Sequence, residues 1–149
     1  LLGSPRLIIV DEPTAGLDPQ ERNRFHNLLC EISENVIVIL STHIVEDVSQ
    51  LCPNMAILIN GEVRLQGKPA HLIQEIDGTI WSKLLPRNQT EQYKNKYNVI
   101  SERLVVGQTQ ILVQSEFQPE IGFELVSANL EDVYFATLKK FEQGAQNAQ

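Results

Sequence analysis

Residues 8–19 read IIVDEPTAGLDP: an apolar run ends in two adjacent carboxylates, Asp11 and Glu12, and a short loop with a proline follows. A carboxylate at the edge of a core is costly unless it is paired, hydrogen-bonded or close to a cation. Neighbouring residues on a strand point to opposite faces, so the two acids are free to do different jobs.

Working outward, Leu7-Ile8-Ile9-Val10 and Val36-Ile37-Val38-Ile39-Leu40 are two continuous apolar runs. Parallel strands buried on both faces have this pattern. Between them Asp18 stands where a helix cap belongs, Pro19 suits the first helical position, and Glu21 completes a capping box. Phe25, Leu28, Leu29 and Ile32 then fall on one apolar stripe. Strand, helix and strand of these lengths predict a right-handed βαβ crossover, and with it an α/β fold.

After the second run come Ser41-Thr42-His43 and a helical pattern through Ile44, Val45, Val48 and Leu51, stopped by Pro53. Met55–Ile59 and Glu62–Gln66 flank Asn60-Gly61, which fits the primed two-residue turn of a hairpin. Gly67-Lys68-Pro69 closes this region, and a short helix is expected over Ala70–Glu75.

Near Ile76-Asp77-Gly78 the character changes, which sets expected domains at residues 1–75 and 76–149. Strands are predicted at Thr79–Leu85, Val99–Val106, Gln110–Gln114 and Phe123–Ser127, with Gly107 joining the middle two, and a helix at Thr90–Tyr97. Asn129 caps a last helix carrying Val133, Tyr134, Leu138 and Phe141, and the tail Gly144–Gln149 reads as frayed. The order β-α-β-β-β-α points to a small α+β layer of ferredoxin-like type. Trp81, Tyr134 and Phe141 are assigned to its core.

Composition narrows the function. The 149 residues carry a net charge of −7, which argues against a nucleic-acid or anionic-membrane surface. No stretch approaches the roughly 18 consecutive apolar residues of a membrane span, and no signal-peptide pattern is present. Cys30 and Cys52 lack metal-like spacing and read as small buried hydrophobes in a reducing compartment. Leu1–Pro5 looks like a helix end and a turn without an initiator methionine, as in a piece of something longer.

Leu7–Glu12, Ala15-Gly16-Leu17-Asp18 and Ser41-Thr42-His43, in that order, resemble the second half of an ABC-transporter ATP-binding subunit. The resemblance makes Leu7–Glu12 the Walker B strand of a P-loop NTPase sheet, with Asp11 holding Mg²⁺ through water and Glu12 the catalytic glutamate. It makes Ala15–Asp18, including Gly16, the D-loop that meets a second ATPase subunit across a nucleotide-bound dimer. His43 becomes the switch histidine at the γ-phosphate. Leu130-Glu131-Asp132-Val133-Tyr134 resembles the start of a helix in the C-terminal extension of ABC-2-type exporter subunits.

The implied activity is hydrolysis of ATP with Mg²⁺, powering transport, and in particular export, through a separate transmembrane permease. The implied location is the cytoplasmic face of the membrane, with no nucleic acid as partner. The sequence holds no GxxxxGK[ST], so no loop of backbone N–H groups and a lysine cradles the phosphates. The family's Leu-Ser-Gly-Gly-Gln signature and Q-loop are absent too and are expected upstream of Leu1, so the chain by itself is predicted inactive.

Blander readings stand beside these. Asp11 and Glu12 could cap a turn, His43 could cap the helix that starts beside it, and Asp18 has its own N-cap role. His26 and His71 read as ordinary helix-face histidines without a function. Two other functions share the motifs or the architecture: a soluble ABC-type ATPase acting on nucleic acid or ribosomes, and a non-enzymatic regulatory or dimerisation module in the second half.

Overall fold

The structure is a computed structural model that describes residues 5–146. It divides into two compact units, Leu1–Pro53 and Asn54–Gln149.

In the first unit, β1 (Leu7–Asp11) and β2 (Ile37–Ser41) pair in parallel, Leu7 opposite Ile37 through to Asp11 opposite Ser41. The crossover between them is α1 (Pro19–Ser33), and α2 (Val45–Leu51) follows β2. The capping box forms as its residues predict: the Asp18 side chain accepts from the Glu21 N–H at 2.8 Å and the Glu21 carboxylate accepts from the Asp18 N–H at 3.3 Å. Such a cap contributes about 1 kcal/mol.

Two expectations fail here. The strands are not covered on both faces: burial alternates, and Leu7, Ile9, Ile37 and Ile39 lie exposed on one side of the pair. A two-stranded sheet with its helices on one side leaves the other face bare. The apolar stripe of α1 is also rotated. Leu29 is buried, but Leu28 is half exposed and His26 takes the buried place. Cys30, expected inside, is exposed.

The second unit begins with a hairpin of β3 (Met55–Ile59) and β4 (Glu62–Gly67). Asn60 and Gly61 both have positive φ, 52° and 77°, as the primed turn requires. Helix α3 (Pro69–Ile76) follows and packs on the last helix, α5 (Leu130–Gln146). That contact draws residues 54–75 into the C-terminal unit, so the division falls after Pro53 and not at the composition change near Ile76.

A four-stranded antiparallel sheet forms the centre, from β5 (Ile80–Leu85), β6 (Val99–Val105), β7 (Gln108–Gln114) and β8 (Glu124–Leu125), in the order β6-β7-β5-β8. Helix α4 (Thr90–Lys96) joins β5 to β6, so β7 is inserted between them. This is the strand order of a ferredoxin-like sheet. The departure is in the last crossover: an irregular loop over residues 115–123 leads to β8, and the second helix, α5, comes after β8. Strand β8 is two residues long where Phe123–Ser127 was expected, and β7 starts at Gln108, two residues early, because Val106-Gly107 alone makes the turn.

Side-chain alternation along β7 builds both faces of this sheet. Ile111 and Val113 join Leu85, Val99 and Phe123 on the face where Trp81, Tyr93 and Tyr97 pack. Leu112 joins Ile80, Ile100 and Ala136 on the face of α3 and α5. Fully burying each such side chain contributes about 1.5–3 kcal/mol. Asn129 and Asp132 cap α5 reciprocally, at 3.1 and 3.0 Å. Tyr134, assigned to the core, is exposed, and Phe141 is stacked under Arg64 with 4.5 Å from guanidinium carbon to ring centre. Helix α5 runs on through Gln146, past the expected onset of fraying; the rest of that tail, and Leu1–Ser4, lie outside the described residues.

Candidate functional site

The parallel register places the ends of β1 and β2 side by side, and the sequence positions 11–12 and 41–43 meet there. Ser41 Oγ donates to Asp11 Oδ1, and the Glu12 N–H donates to the Ser41 carbonyl at 2.8 Å. Asp11 is exposed at the C-terminal edge of the strands, where open α/β sheets bind ligands.

Glu12 does not continue the strand. Its φ is 45°, a left-handed conformation that costs a non-glycine residue of order 1 kcal/mol and is over-represented at functional sites. The bend turns its carboxylate toward the β2 end. There Oε1 accepts from the His43 main-chain N–H at 3.0 Å, and Oε2 lies 2.8 Å from His43 Nδ1. The His43 side chain is thus not a helix cap. Thr42 does not cap α2 either: its Oγ1 accepts from the Ile44 N–H at 3.0 Å, one residue before the helix begins.

Gly16, in the loop that follows, has φ 79°, and a Cβ placed there would meet nothing within 4 Å. Backbone freedom, not room, is what the glycine supplies. Asp18 is exposed and caps α1. The predicted residues therefore separate into a converged set, Asp11, Glu12 and His43, and a loop pair, Gly16 and Asp18.

A second polar cluster in the same unit was not foreseen. Asp47 and Thr14 are fully buried, and the Thr14 hydroxyl donates to Asp47 Oδ2. His26 Nε2 lies 3.1 Å from Asp47 Oδ1, and His26 Nδ1 lies 3.1 Å from Gln50 Oε1. His26 is therefore no ordinary helix-face histidine. A signal was present: Ile44, Val48 and Leu51 mark an apolar stripe on α2, and Asp47 falls on it, as His26 falls beside Phe25 and Leu29 on α1. An acid and a histidine, each on an apolar stripe, call for one another. Burial, and then the nearby Asp47 charge, push the Cys52 thiol up, which makes it a poor nucleophile. His71 is exposed and pairs with Glu75 one turn on, at 3.3 Å.

Among the described residues, no group of three His, Cys, Asp or Glu side chains could hold a metal ion directly. A single exposed carboxylate suits Mg²⁺, which keeps most of its water and takes one or two protein acids. Asp11 fits that role.

Comparison with known proteins gives the family. ABC transporter A family member 11 of Dictyostelium discoideum is 30% identical over 102 residues, 68% of this chain and 12% of that protein. The uncharacterized ABC transporter ATP-binding protein YxlF of Bacillus subtilis is 27% identical over 148 residues, 90% of this chain and 50% of that protein. The chain matches the C-terminal portion of an ABC-transporter ATP-binding subunit. The human phospholipid-transporting ATPase ABCA7 is 41% identical over 73 residues, 48% of this chain and 3% of that protein. No family model matches the sequence. A solved structure described as the ATP binding subunit of an ABC transporter superposes with a TM-score of 0.43 at 32% identity, over 48% of this chain and 30% of that one. The chain thus spans half or less of the curated relatives it matches. No helix among the described residues is long and apolar enough to cross a membrane.

Proposed function

We propose that this chain is the C-terminal part of a subunit that hydrolyses ATP to power export through a separate membrane permease. The observation that carries the reading is the convergence of Glu12 and His43 at the ends of paired parallel strands, with Asp11 beside them. ATP-binding relatives in the ABC transporter family support it. The export direction rests on the likeness of Leu130–Tyr134 to exporter extensions.

In this reading Asp11 holds Mg²⁺ through water, and the ion when bound neutralises charge on phosphate oxygens. Glu12 takes a proton from the attacking water at its carboxylate, an effect worth about 10²–10⁴-fold. His43 contacts the γ-phosphate. Gly16 and Asp18 present the loop to a second ATPase subunit. The complete subunit works as a dimer on the cytoplasmic face of the membrane. The C-terminal unit does no chemistry and braces or regulates the dimer.

The test is made in the complete subunit. Glu12→Gln keeps shape and hydrogen bonding but removes the base, so nucleotide is bound and retained while turnover collapses. Near-normal turnover in that variant would sink the assignment. Deleting the C-terminal unit weakens assembly or coupling; loss of MgATP binding in a folded deletion variant would mean the unit belongs to the site. An ABC-type ATPase acting on nucleic acid or ribosomes remains the competing reading, disfavoured by the net charge of −7. Co-purification of the complete subunit with membranes, and not with nucleic acid, separates the two.

A further inference from the structure

The buried cluster of Thr14, Asp47 and His26, with the exposed Gln50 at its rim, belongs to no motif, yet it sits behind the loop that carries them. Thr14 lies two residues after Glu12 and four before Asp18. Asp47 lies four residues after His43. His26 lies two turns into the helix that Asp18 caps. One carboxylate therefore joins three segments that each lead to a site residue.

Both oxygens of Asp47 are used, Oδ2 by the Thr14 hydroxyl and Oδ1 by His26 Nε2 at 3.1 Å. On the other side of the ring, His26 Nδ1 lies 3.1 Å from Gln50 Oε1.

We propose that Asp47 is a positioning residue, which ties the Thr14 hydroxyl on one oxygen to His26 on the other and so fixes the loop from Glu12 to Asp18. This rests on the functional reading above for its effect on turnover, but not for the geometry. The buried polar pair is kept because it gives the loop one register. An apolar pair of similar volume would pack as well without directing a hydrogen bond at Thr14. Asp47 touches no reacting atom; it acts through Thr14 and the turn behind Glu12.

The first experiment uses the 149-residue chain and needs no nucleotide. Thr14→Val removes only the hydroxyl, and should raise the amide exchange of Ala15–Leu17 at least tenfold; Thr14→Ser should restore it. Unchanged exchange in a folded Thr14→Val chain would overturn the proposal.

The second experiment uses the complete subunit. Asp47→Asn and Thr14→Val should lower kcat about 10- to 100-fold, with KM for ATP little changed, because misplacing catalytic groups by an ångström acts on the transition state. A rise in KM with unchanged kcat would refute the positioning role. If amide exchange behaves as expected but no subunit containing this chain hydrolyses ATP, the functional reading fails and the loop lock stands.

Discussion

The His43 main-chain N–H donates to Glu12 Oε1 at 3.0 Å, and the His43 ring Nδ1 lies 2.8 Å from Glu12 Oε2. The pair is open to solvent, with 77% of the His43 side chain and 36% of the Glu12 side chain exposed. A surface pair of this kind is worth little in stability, about 0–1 kcal/mol. Its use is positional. His43→Ala should therefore leave the melting temperature almost unchanged while cutting ATP turnover of the complete subunit at least tenfold. Glu12→Gln should cut it by about 10²–10⁴-fold. Steady-state phosphate release and a thermal melt on the same samples check both halves.

The chain itself, with no glycine-rich phosphate loop, should not bind MgATP. Asp11 and Glu12 supply no donor to a phosphate, and two carboxylates facing a polyanion repel it. Calorimetric titration of residues 1–149 should show no heat beyond dilution; micromolar binding would overturn the prediction.

Bare strands make a further test. Leu7, Ile9, Ile37 and Ile39 line one exposed face of β1 and β2, and flat apolar strands tend to pair with other chains. The 149-residue chain should self-associate as its concentration rises. Ile9→Lys with Ile39→Lys, which sit opposite each other, should return it to a monomer in light scattering. A strictly monomeric parent chain at high concentration would count against this.

The crossover loop of the C-terminal unit is held by one carboxylate. Glu120 accepts from Lys83 Nζ at 2.6 Å, Tyr93 Oη at 2.5 Å, Tyr97 Oη at 2.7 Å and Lys96 Nζ at 2.9 Å. These donors, Lys83 foremost, hold the Glu120 carboxyl well below its ordinary value of 4.5. A depressed carboxylate stabilises the fold above its unfolded value and loses that contribution as pH falls through the folded one. The C-terminal unit should thus begin to lose stability as pH drops below about 4.5. Glu120→Gln should flatten that acid limb in pH-dependent denaturation curves. An identical acid limb in the variant would show that the loop is held by something else.

Val106 offers a stabilising change. It is a fully exposed β-branched residue with φ 44°, in a two-residue turn with Gly107 at φ 82°. Asn tolerates that conformation, and Asn-Gly is the preferred pair for this turn. Val106→Asn should raise stability by about 1 kcal/mol, read as a higher urea midpoint with unchanged slope.

The sequence by itself determined the helix starts and the hairpin turn, which depend on neighbours a few positions apart. Asp18 with Glu21, Asn60-Gly61, and Asn129 with Asp132 act over two to four residues, so the helix starts and the hairpin turn were legible. So was the meeting of Glu12 and His43, because two apolar runs joined by one helix pair in parallel and bring their C-terminal ends together.

Tertiary structure decided the rest. His26 and Asp47 are 21 positions apart and Thr14 and Asp47 are 33 apart, and only packing makes those polar groups partners. Packing also rotated the α1 stripe, leaving Leu28 and Cys30 outside, and drew residues 54–75 to the C-terminal unit through α3 on α5. Glu120 likewise gains its four donors from β5, α4 and Tyr97 just after α4, far along the chain. Period and composition report which residues prefer burial. Which face of a helix wins, and which polar group is buried with it, depends on the surface it meets, and that surface comes from elsewhere in the chain.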